Sequence, residues 1–238
     1  MAIAVDASTP IRWAGLIVLG GDTIVSASFT PPANSLLVCC VNYDGNTTNG
    51  TPTVTADTAG LTWTQQVQRT WQEGLDGGYS AIFTCPQTSS ASRICTLTFS
   101  QGGALQASAK LYVLTGVDLA GTPVDTVGAS NEGDSTTDSM TTTSLTPGAT
   151  GLLFAVSTDY NVQGVFDASS DLTQDTATYA TLSVCSGYKT CTSGVGVTAN
   201  LNAGGASPQH KWSQIIARQS ASTTPGFSSS PFLVPITF

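Results

Sequence analysis

Apolar and polar residues alternate with a period of two over many short segments of this chain, most of them rich in Thr and Val. In DTIVSASFT (22–30), Val25 and Phe29 fall on one face, and GYSAIFTC (78–85) and ICTLTF (94–99) repeat the pattern. Such alternation is typical of half-buried β-strands, and Gly, Pro, Asn and Asp separate the segments as turn residues do. Helical periodicity is nearly absent, so the pattern predicts an all-β protein.

About ten or more such strands at short spacing predict a two-sheet antiparallel β-sandwich, of jelly-roll or immunoglobulin-like type. A chain of 238 residues with 40% hydrophobic and 9% charged residues can bury one large core. We assign residues 1–20 to an N-terminal arm and lead-in and 21–218 to the β-sandwich domain. Residues 219–238 are assigned to an extended C-terminal arm.

The predicted arm differs in composition from the sandwich. QSASTTPGFSSS is a low-complexity stretch rich in Ser, and it leads into the apolar peptide PFLVPITF. Two prolines keep this peptide out of the middle of a sheet, whereas an extended peptide can lie along a neighbouring groove or sheet edge. A frayed terminus is the alternative. We favour a docking arm whose interface contacts come from its large apolar side chains: Phe232, Leu233, Val234, Ile236 and Phe238.

The stretch LLVCCVNYDG (36–45) is apolar on both strand faces, because adjacent residues in a strand point to opposite sides. Cys39 and Cys40 are therefore expected in the core and not at a shared metal or redox site. We expect the second sheet to cover one face, and a loop, a terminal arm or a neighbouring subunit to cover the other. The six cysteines include no C-x-x-C pair and are expected to be free. A disulfide between Cys85 and Cys95, which share an inward pattern, stays open.

Charge and hydropathy exclude two classes of partner. The 7 Lys and Arg against 15 Asp and Glu give a net charge of −8 without a basic cluster, so we expect no direct nucleic-acid binding. No apolar stretch approaches the roughly 18 to 20 residues that span a bilayer, so we expect no membrane insertion. The start MAIAVDASTPIRWAG lacks the pattern of a secretory signal, which favours folding in a reducing cytosol.

Candidate catalytic groups are few. His210 is the only histidine, and no nucleophile motif accompanies it for an acyl-transfer triad. The acidic residues that cluster all lie in contexts typical of solvated turns: Glu73 with Asp76, Glu132 with Asp134, and Asp167, Asp171 and Asp175. The segment DASSDLTQD lacks the spacing of an EF-hand, and no phosphate-binding glycine motif is present. We therefore predict a protein that is not an enzyme and uses no cofactor or metal.

One aromatic side chain is a candidate for ligand contact. Trp71, in RTWQEGLDGGY, is expected at the edge of a loop, where an exposed indole could stack on a sugar ring. Local packing is the competing interpretation, since Trp is highly buried on average.

A succession of motifs resembles a β-sandwich module found in structural proteins of tailed bacteriophages and in some bacterial surface proteins. The motifs are FTPPANSLLV (29–38), DTAGLTWTQ (57–65), GYSAIFTCP (78–86), AKLYVLTGVDLAGTPVD (109–125) and KWSQIIA (211–217). The resemblance covers roughly residues 20 to 218. It rests on the order and spacing of PPA-x-SLLV and AGLTWT together, since each motif alone is weak.

The resemblance implies a non-enzymatic virion protein: a capsid decoration protein, a head fibre component or a tail module. Its partners would be the major capsid protein or other virion subunits, with a homo-oligomer, favoured as a trimer, assembled in the host cytoplasm. We expect a capsid decoration or cement protein that stabilises the shell through subunit contacts and terminal arms. The runner-up is a carbohydrate- or receptor-binding β-sandwich module of a phage tail or surface protein, with a glycan as ligand. A hydrolase built on His210 and the scattered acids is the third hypothesis.

Overall fold

The computed structural model of the protein describes most of the chain, and the following paragraphs concern those residues. They are 2–46, 53–55, 61–73, 76–100, 105–131, 139–159, 165–166, 171–179, 182–204 and 210–218. The predicted C-terminal arm therefore lies outside the described residues.

The described residues form seventeen strands, nine of which belong to the first half of the chain. These nine are β1 (Ala4–Val5), β2 (Trp13–Ile17), β3 (Thr23–Val25), β4 (Ser35–Asn46), β5 (Thr53–Thr55), β6 (Thr64–Glu73), β7 (Asp76–Gln87), β8 (Thr96–Thr98) and β9 (Leu105–Thr115). The strands of the second half are β10 (Val124–Asn131), β11 (Ser139–Thr141), β12 (Gly151–Asp159), β13 (Val165–Phe166), β14 (Thr173–Thr178), β15 (Ser183–Cys191), β16 (Asn200–Gly204) and β17 (His210–Arg218).

These strands make four antiparallel sheets. The largest has the order β9-β4-β7-β6, and β1 and β2 both pair with the remaining edge of β9 to make six strands. A five-stranded sheet has the order β10-β17-β12-β15-β14. Two three-stranded sheets have the orders β3-β8-β5 and β11-β16-β13. The all-β, antiparallel prediction is confirmed, whereas the number of sheets exceeds the two that were predicted.

The outer face of the six-stranded sheet forms the first core with the β3-β8-β5 sheet. Cys39 and Leu111 from the large sheet pack there with Ile24 of β3 and Leu97 of β8, and all four are buried. Trp63 packs against this cluster as a partly buried side chain. Because side chains alternate along β4, every second residue points to this face. The short outer sheet covers this row of side chains.

The opposite face of the six-stranded sheet packs on the five-stranded sheet and forms the second core. Val38 and Cys40 of β4 meet Phe154 and Val156 of β12 in one buried cluster. Cys39 and Cys40 thus point into different cores, as the alternation predicts, and both are fully buried. Sheets of the same chain cover both faces of β4 in the described structure, whereas the prediction had left one face to a loop, an arm or a neighbouring subunit.

A third core lies on the far face of the five-stranded sheet. Leu153 and Cys185 pack there with Leu145, Val197 and Ala199, which flank the strands of the β11-β16-β13 sheet. The described protein is therefore a stack of four β layers, with a core in each of the three spaces between them.

The two halves of the chain repeat one another in strand order. In the first half the layers are β9-β4-β7-β6 and β3-β8-β5, and in the second they are β17-β12-β15-β14 and β11-β16-β13. Isolated bridges occupy matching places just before β4 and β12, one joining Phe29 to Arg93 and the other joining Leu145 to Val197. Each half is thus a β-sandwich of the same topology.

The sequences around these bridges agree with the repeat. FTPPANSLLV (29–38) and LTPGATGLLF (145–154) align without a gap and share Thr, Pro, Ala and the Leu-Leu pair. This alignment makes Asn42 the counterpart of Thr158, and Asn42 Nδ2 donates to Thr158 Oγ1 at 2.8 Å. The sheet of the first half that contains β4 therefore packs against the sheet of the second half that contains β12.

Candidate functional site

A polar buried region of the described structure lies between the two halves. Arg12, just before β2, reaches across to the second half, and its side chain is 6% exposed. Its Nε forms an ion pair with the Asp175 carboxylate of β14. The other donors go to Asn42 Oδ1 at 3.4 Å, Ser108 Oγ at 3.2 Å, the Asp175 carbonyl at 3.1 Å and Ser186 Oγ at 2.6 Å.

The hydrogen bonds of Arg12 determine whether this buried region can bind a ligand. A guanidinium has five N–H donors, and each of the five directions here meets an acceptor of the protein. A fully satisfied arginine offers no donor to a ligand. We call Arg12, Lys110 and Asp175 the seam cluster, and its geometry is that of a structural clamp between the halves.

Lys110 completes the seam cluster from β9. Its Nζ lies 3.3 Å from Asp175 Oδ2 and donates to the Pro10 carbonyl at 3.1 Å. The ammonium also lies 5.7 Å from the centre of the Tyr112 ring, within the range of a cation–π contact. Two cations thus share one carboxylate, which leaves the seam cluster with one formal positive charge in a place that water reaches only partly.

Burial makes the thiols poor nucleophiles, because a thiolate is stabilised by water that the core excludes. Burial raises the pKa of Cys40 and of Cys185 to about 12. Burial, and then a hydrogen bond with the Cys95 thiol, raise the pKa of Cys39 well above its usual range. All six cysteines are free. Cys95 thus has Cys39 as a neighbour, and it packs in the same core as Cys85 without a disulfide.

A second polar feature opens to the surface at the end of β7. A cavity of about 390 Å³ is lined by Leu61, Thr62, Pro86, Thr88 and Ser89, together with Gln87 and Arg93. This volume falls in the range of small-molecule sites, roughly 300 to 1,000 Å³. We call it the Arg93 cavity.

Two buried polar side chains form the inner wall of the Arg93 cavity. Arg93 is 6% exposed and Gln87 is 2% exposed. Arg93 Nε donates to Gln87 Oε1 at 3.0 Å, and Gln87 Nε2 donates to the Ser89 carbonyl at 2.7 Å. Because the amide is bonded at both ends, it holds the guanidinium in one orientation at the cavity.

The predicted contact residues fall in two places. Trp71 lies in β6, two residues before the strand ends at Glu73, opposite Gly78 of β7 on an edge strand of the six-stranded sheet. Its contact with a ligand stays a prediction. The arm residues Phe232, Leu233, Val234, Ile236 and Phe238 lie outside the described residues.

The weighed acidic residues do not form one centre where the structure describes them. Asp171 accepts hydrogen bonds from Lys189 Nζ at 2.5 Å and from the backbone N–H of Asn200 at 2.9 Å. Asp175 belongs to the seam cluster. Glu73 and Asp76 are paired across the end of β6 and β7, and His210 opens β17 opposite Asp159. Glu132, Asp134 and Asp167 lie outside the described residues. Within the described part, no group of three or more His, Cys, Asp and Glu is placed to hold a metal ion.

Comparison of the chain with protein-family models, with curated proteins and with solved structures finds no match. Among the residues that the structure describes, no helix is long and apolar enough to cross a membrane.

Sequence reasoning missed the arginines at the centre of both polar features, although it named Asp175 among the acidic candidates. Arg12 stands in a lead-in segment and Arg93 in the loop PQTSSASR, so neither belongs to a motif. The internal repeat could have indicated Arg93, because aligning the two halves gives the charged Arg93 an apolar residue as its counterpart.

Proposed function

We propose that this chain is a non-enzymatic structural protein of a virion, most simply a capsid decoration protein that stabilises the shell through subunit contacts. The observation that carries the proposal is that the charged side chains of the seam cluster and the buried thiols make structural contacts. The seam cluster joins the two halves, and the thiols lie in the cores with pKa values far above neutral where they are shifted. These groups contribute to rigidity and not to turnover. The motif resemblance supplies the virion context.

Exposed apolar residues support an assembly role. Leu16, Val18 and Leu19, at the turn between β2 and β3, are 56%, 51% and 68% exposed. Asp22 Oδ2 accepts from the Val18 and Leu19 amides at 2.7 and 2.8 Å, so this turn is held in shape with its apolar side chains outward. Grouped apolar residues on a surface are typical of protein contacts.

The sheet edges offer a second means of assembly. In the six-stranded sheet, β6 lies at one edge, and β10 and β14 lie at the edges of the five-stranded sheet. Edge strands present backbone groups that can pair with a neighbouring chain. We infer a homo-oligomer, with a trimer favoured, in which major capsid protein or other virion subunits meet these edges and the C-terminal arm.

Ligand binding at the particle surface is the second candidate function. The Arg93 cavity favours it, because a buried guanidinium at the wall of an open cavity is a feature of binding sites. A carbohydrate- or receptor-binding module of a tail or surface protein would use such a cavity, and Trp71, at the opposite end of the β6–β7 pair, would be a separate contact for a glycan.

Shortening the chain tests the assembly proposal. We expect deletion of residues 219–238 to reduce co-sedimentation with purified virus particles several-fold, because the apolar arm supplies contacts. The matched control keeps the arm and replaces only its polar stretch, 219–230, by a Gly/Ser linker of equal length. Unchanged occupancy after the deletion would contradict a docking role for the arm, and a full-length chain that never sediments with particles would contradict the virion assignment.

A further inference from the structure

We propose that the apolar end of the C-terminal arm, residues 231–238, of one copy adds as an extra strand to the open edge of β2 in a second copy. This proposal rests on the docking role proposed above for the arm and specifies the surface that receives it. Three features carry it: an exposed apolar row along β2, the spacing of the prolines in the arm, and the place where β17 ends.

The receiving surface is β2 with the turn that follows it. Within the described residues β2 pairs with β9 alone, so its other edge is open to a further strand. Ala14 and Leu16 lie on the exposed face of β2, and Val18 and Leu19 continue the exposed row into the turn. Asp22 holds this turn in shape through the Val18 and Leu19 amides. An open edge beside an apolar row favours an extended apolar peptide as its partner.

The arm peptide PFLVPITF has the pattern of a strand that pairs along one edge only. When the peptide is extended, its side chains alternate between two faces, and its backbone N–H groups alternate between two edges. Pro231 and Pro235 are four residues apart, so both missing N–H groups fall on the same edge, and the other edge keeps its donors. The residues of the donor edge also form one apolar row: Phe232, Val234, Ile236 and Phe238.

Contacts between the two halves fix the relative direction of β9 and β15. Lys110 Nζ lies 3.3 Å from the side chain of Asp175, which pairs with Ser186. Two residues further along each strand, the rings of Tyr112 and Tyr188 have their centres 5.6 Å apart. The strands β9 and β15 therefore run in the same direction.

The open edge of β2 and the start of the arm consequently lie at opposite ends of the stack. Ile17 pairs with the first residue of β9, towards the start of β15, whereas Arg218 pairs with the first residue of β12, which faces the last residue of β15. The nine residues of β12 span about 30 Å, and residues 219–230 span at most about 40 Å. Reaching β2 of the same chain would need nearly full extension, whereas a second copy can place its β2 beside Arg218.

The direction of this contact bears on the kind of oligomer. A contact between opposite ends of two copies is heterologous, and its repetition can close a ring. Each copy would then give one arm and receive one arm. Such a ring agrees with the homo-oligomer proposed above.

Sedimentation equilibrium of the purified full-length protein tests the receiving surface. We expect a concentration-dependent oligomer in which amide hydrogen exchange of residues 14–18 is slower than in the dissociated chain. Leu16→Asp should weaken association about tenfold or more, because it buries an unpaired charge in the contact. Val127→Asp, at an exposed valine on the edge strand β10, is the matched control and should change association less than about threefold.

Two proline variants of the full-length chain test the pairing edge of the arm. Val234→Pro removes an N–H from the donor edge, and we expect association to weaken about tenfold or more. Leu233→Pro removes an N–H from the edge that the two prolines already interrupt, and we expect a change of less than about threefold.

Three results would overturn the proposal. They are a full-length chain that stays monomeric at every concentration, equal association of the two proline variants, and equal association of Leu16→Asp and Val127→Asp. A monomer with protected β2 amides would show docking within one chain. None of these measurements uses virus particles, so the proposal can fail while the chain still co-sediments with virions, and the virion assignment can fail while the oligomer forms.

Discussion

Arg12 is the side chain on which the contact between the halves depends most. Its replacement by Met leaves Asp175, Asn42 and Ser186 without their shared donor, while Lys110 still faces the carboxylate. Breaking a buried pair on one side typically costs about 3 to 5 kcal/mol, and because Asp175 is 29% exposed we expect about 2 to 4 kcal/mol. Urea unfolding of Arg12→Met measures this loss.

The control for Arg12→Met is an ion pair nearer the surface. Lys189 and Asp171 have side chains that are 20% and 37% exposed, so Lys189→Met is expected to cost less than about 1 kcal/mol. Equal losses in the two variants would contradict the assignment of Arg12 as the clamp between the halves.

The buried thiols make stability depend on alkaline pH. Cys40 and Cys185 have ordinary pKa values of 9.0 that burial raises to about 12 in the folded protein. Because the folded state holds these protons more tightly, their contribution to stability is complete below pH 9 and is lost as the pH rises from 9 to about 12. The free energy of unfolding should fall by up to about 1.4 kcal/mol per pH unit for each thiol.

Cys40→Val isolates one thiol in this pH dependence. Val156 is the counterpart of Cys40 in the second half, so the substitution copies a side chain that the same fold accepts. We expect a smaller fall in the free energy of unfolding between pH 9 and 11 than in the parent protein. Urea unfolding at several pH values measures the slope, and an identical slope in both proteins would contradict the attribution to Cys40.

The strands of the two halves are equivalent in order but differ in how closely the segment at the start of β14 approaches β15. Phe83 of β7 pairs with Cys39, and its counterpart Gly187 of β15 pairs with Ala155. A Cβ added to Gly187 would lie 2.9 Å from the Thr173 carbonyl oxygen and 3.0 Å from Leu172 Cβ. The second half therefore uses glycine where the first uses a large side chain, and its neighbouring segment lies closer.

Gly187→Ala tests this close approach. The added methyl meets backbone that cannot rotate away, so we expect a loss of about 1 to 3 kcal/mol by thermal or urea unfolding. The matched control is Gly196→Ala, whose Cβ would meet the Ser144 hydroxyl at 2.8 Å. Because the Ser144 side chain can change rotamer, we expect a smaller loss of stability than for Gly187→Ala. A tolerated Gly187→Ala would contradict the packing described for β14 and β15.

Strand formation was predictable from this sequence, and strand partnership was not. Alternation in 22–30, 78–85 and 94–99 and burial on both faces of 36–45 follow from local pattern, and each segment contributes strand or buried residues. The face predicted for 22–30 was wrong, because Val25 is exposed and Ile24 is buried. Alternation shows that a face is covered but not which segment covers it. The four layers therefore exceeded the predicted two, because the second sheet over β4 comes from the distant repeat.

The polar sites were less predictable than the fold, for a related reason. Arg12 and Asp175 are far apart in sequence and meet only because the halves face each other. Arg93 reads as a loop residue until its bridge to Phe29 places it at a buried position. Charge and composition bear on the classes of partner that we expect, whereas a single buried charge needs its three-dimensional surroundings to be recognised.

The whole molecule combines a rigid interior with outward-facing contact groups. The second core and the seam cluster join two sandwiches of the same topology, so the described layers resist separation. The turn at Leu16, Val18 and Leu19, the sheet edges and the sequence of the arm remain for contacts with other chains. We base on these features the proposal that the chain is a component of an assembly.

The central claim, that the chain is a structural component of a particle, is tested most directly by its distribution across a density gradient of purified virions. Quantitative mass spectrometry of the fractions compares this chain with the major capsid protein. We predict that the chain follows the particle peak in a constant ratio to the major capsid protein. A chain that stays at the top of the gradient with free proteins would contradict the claim.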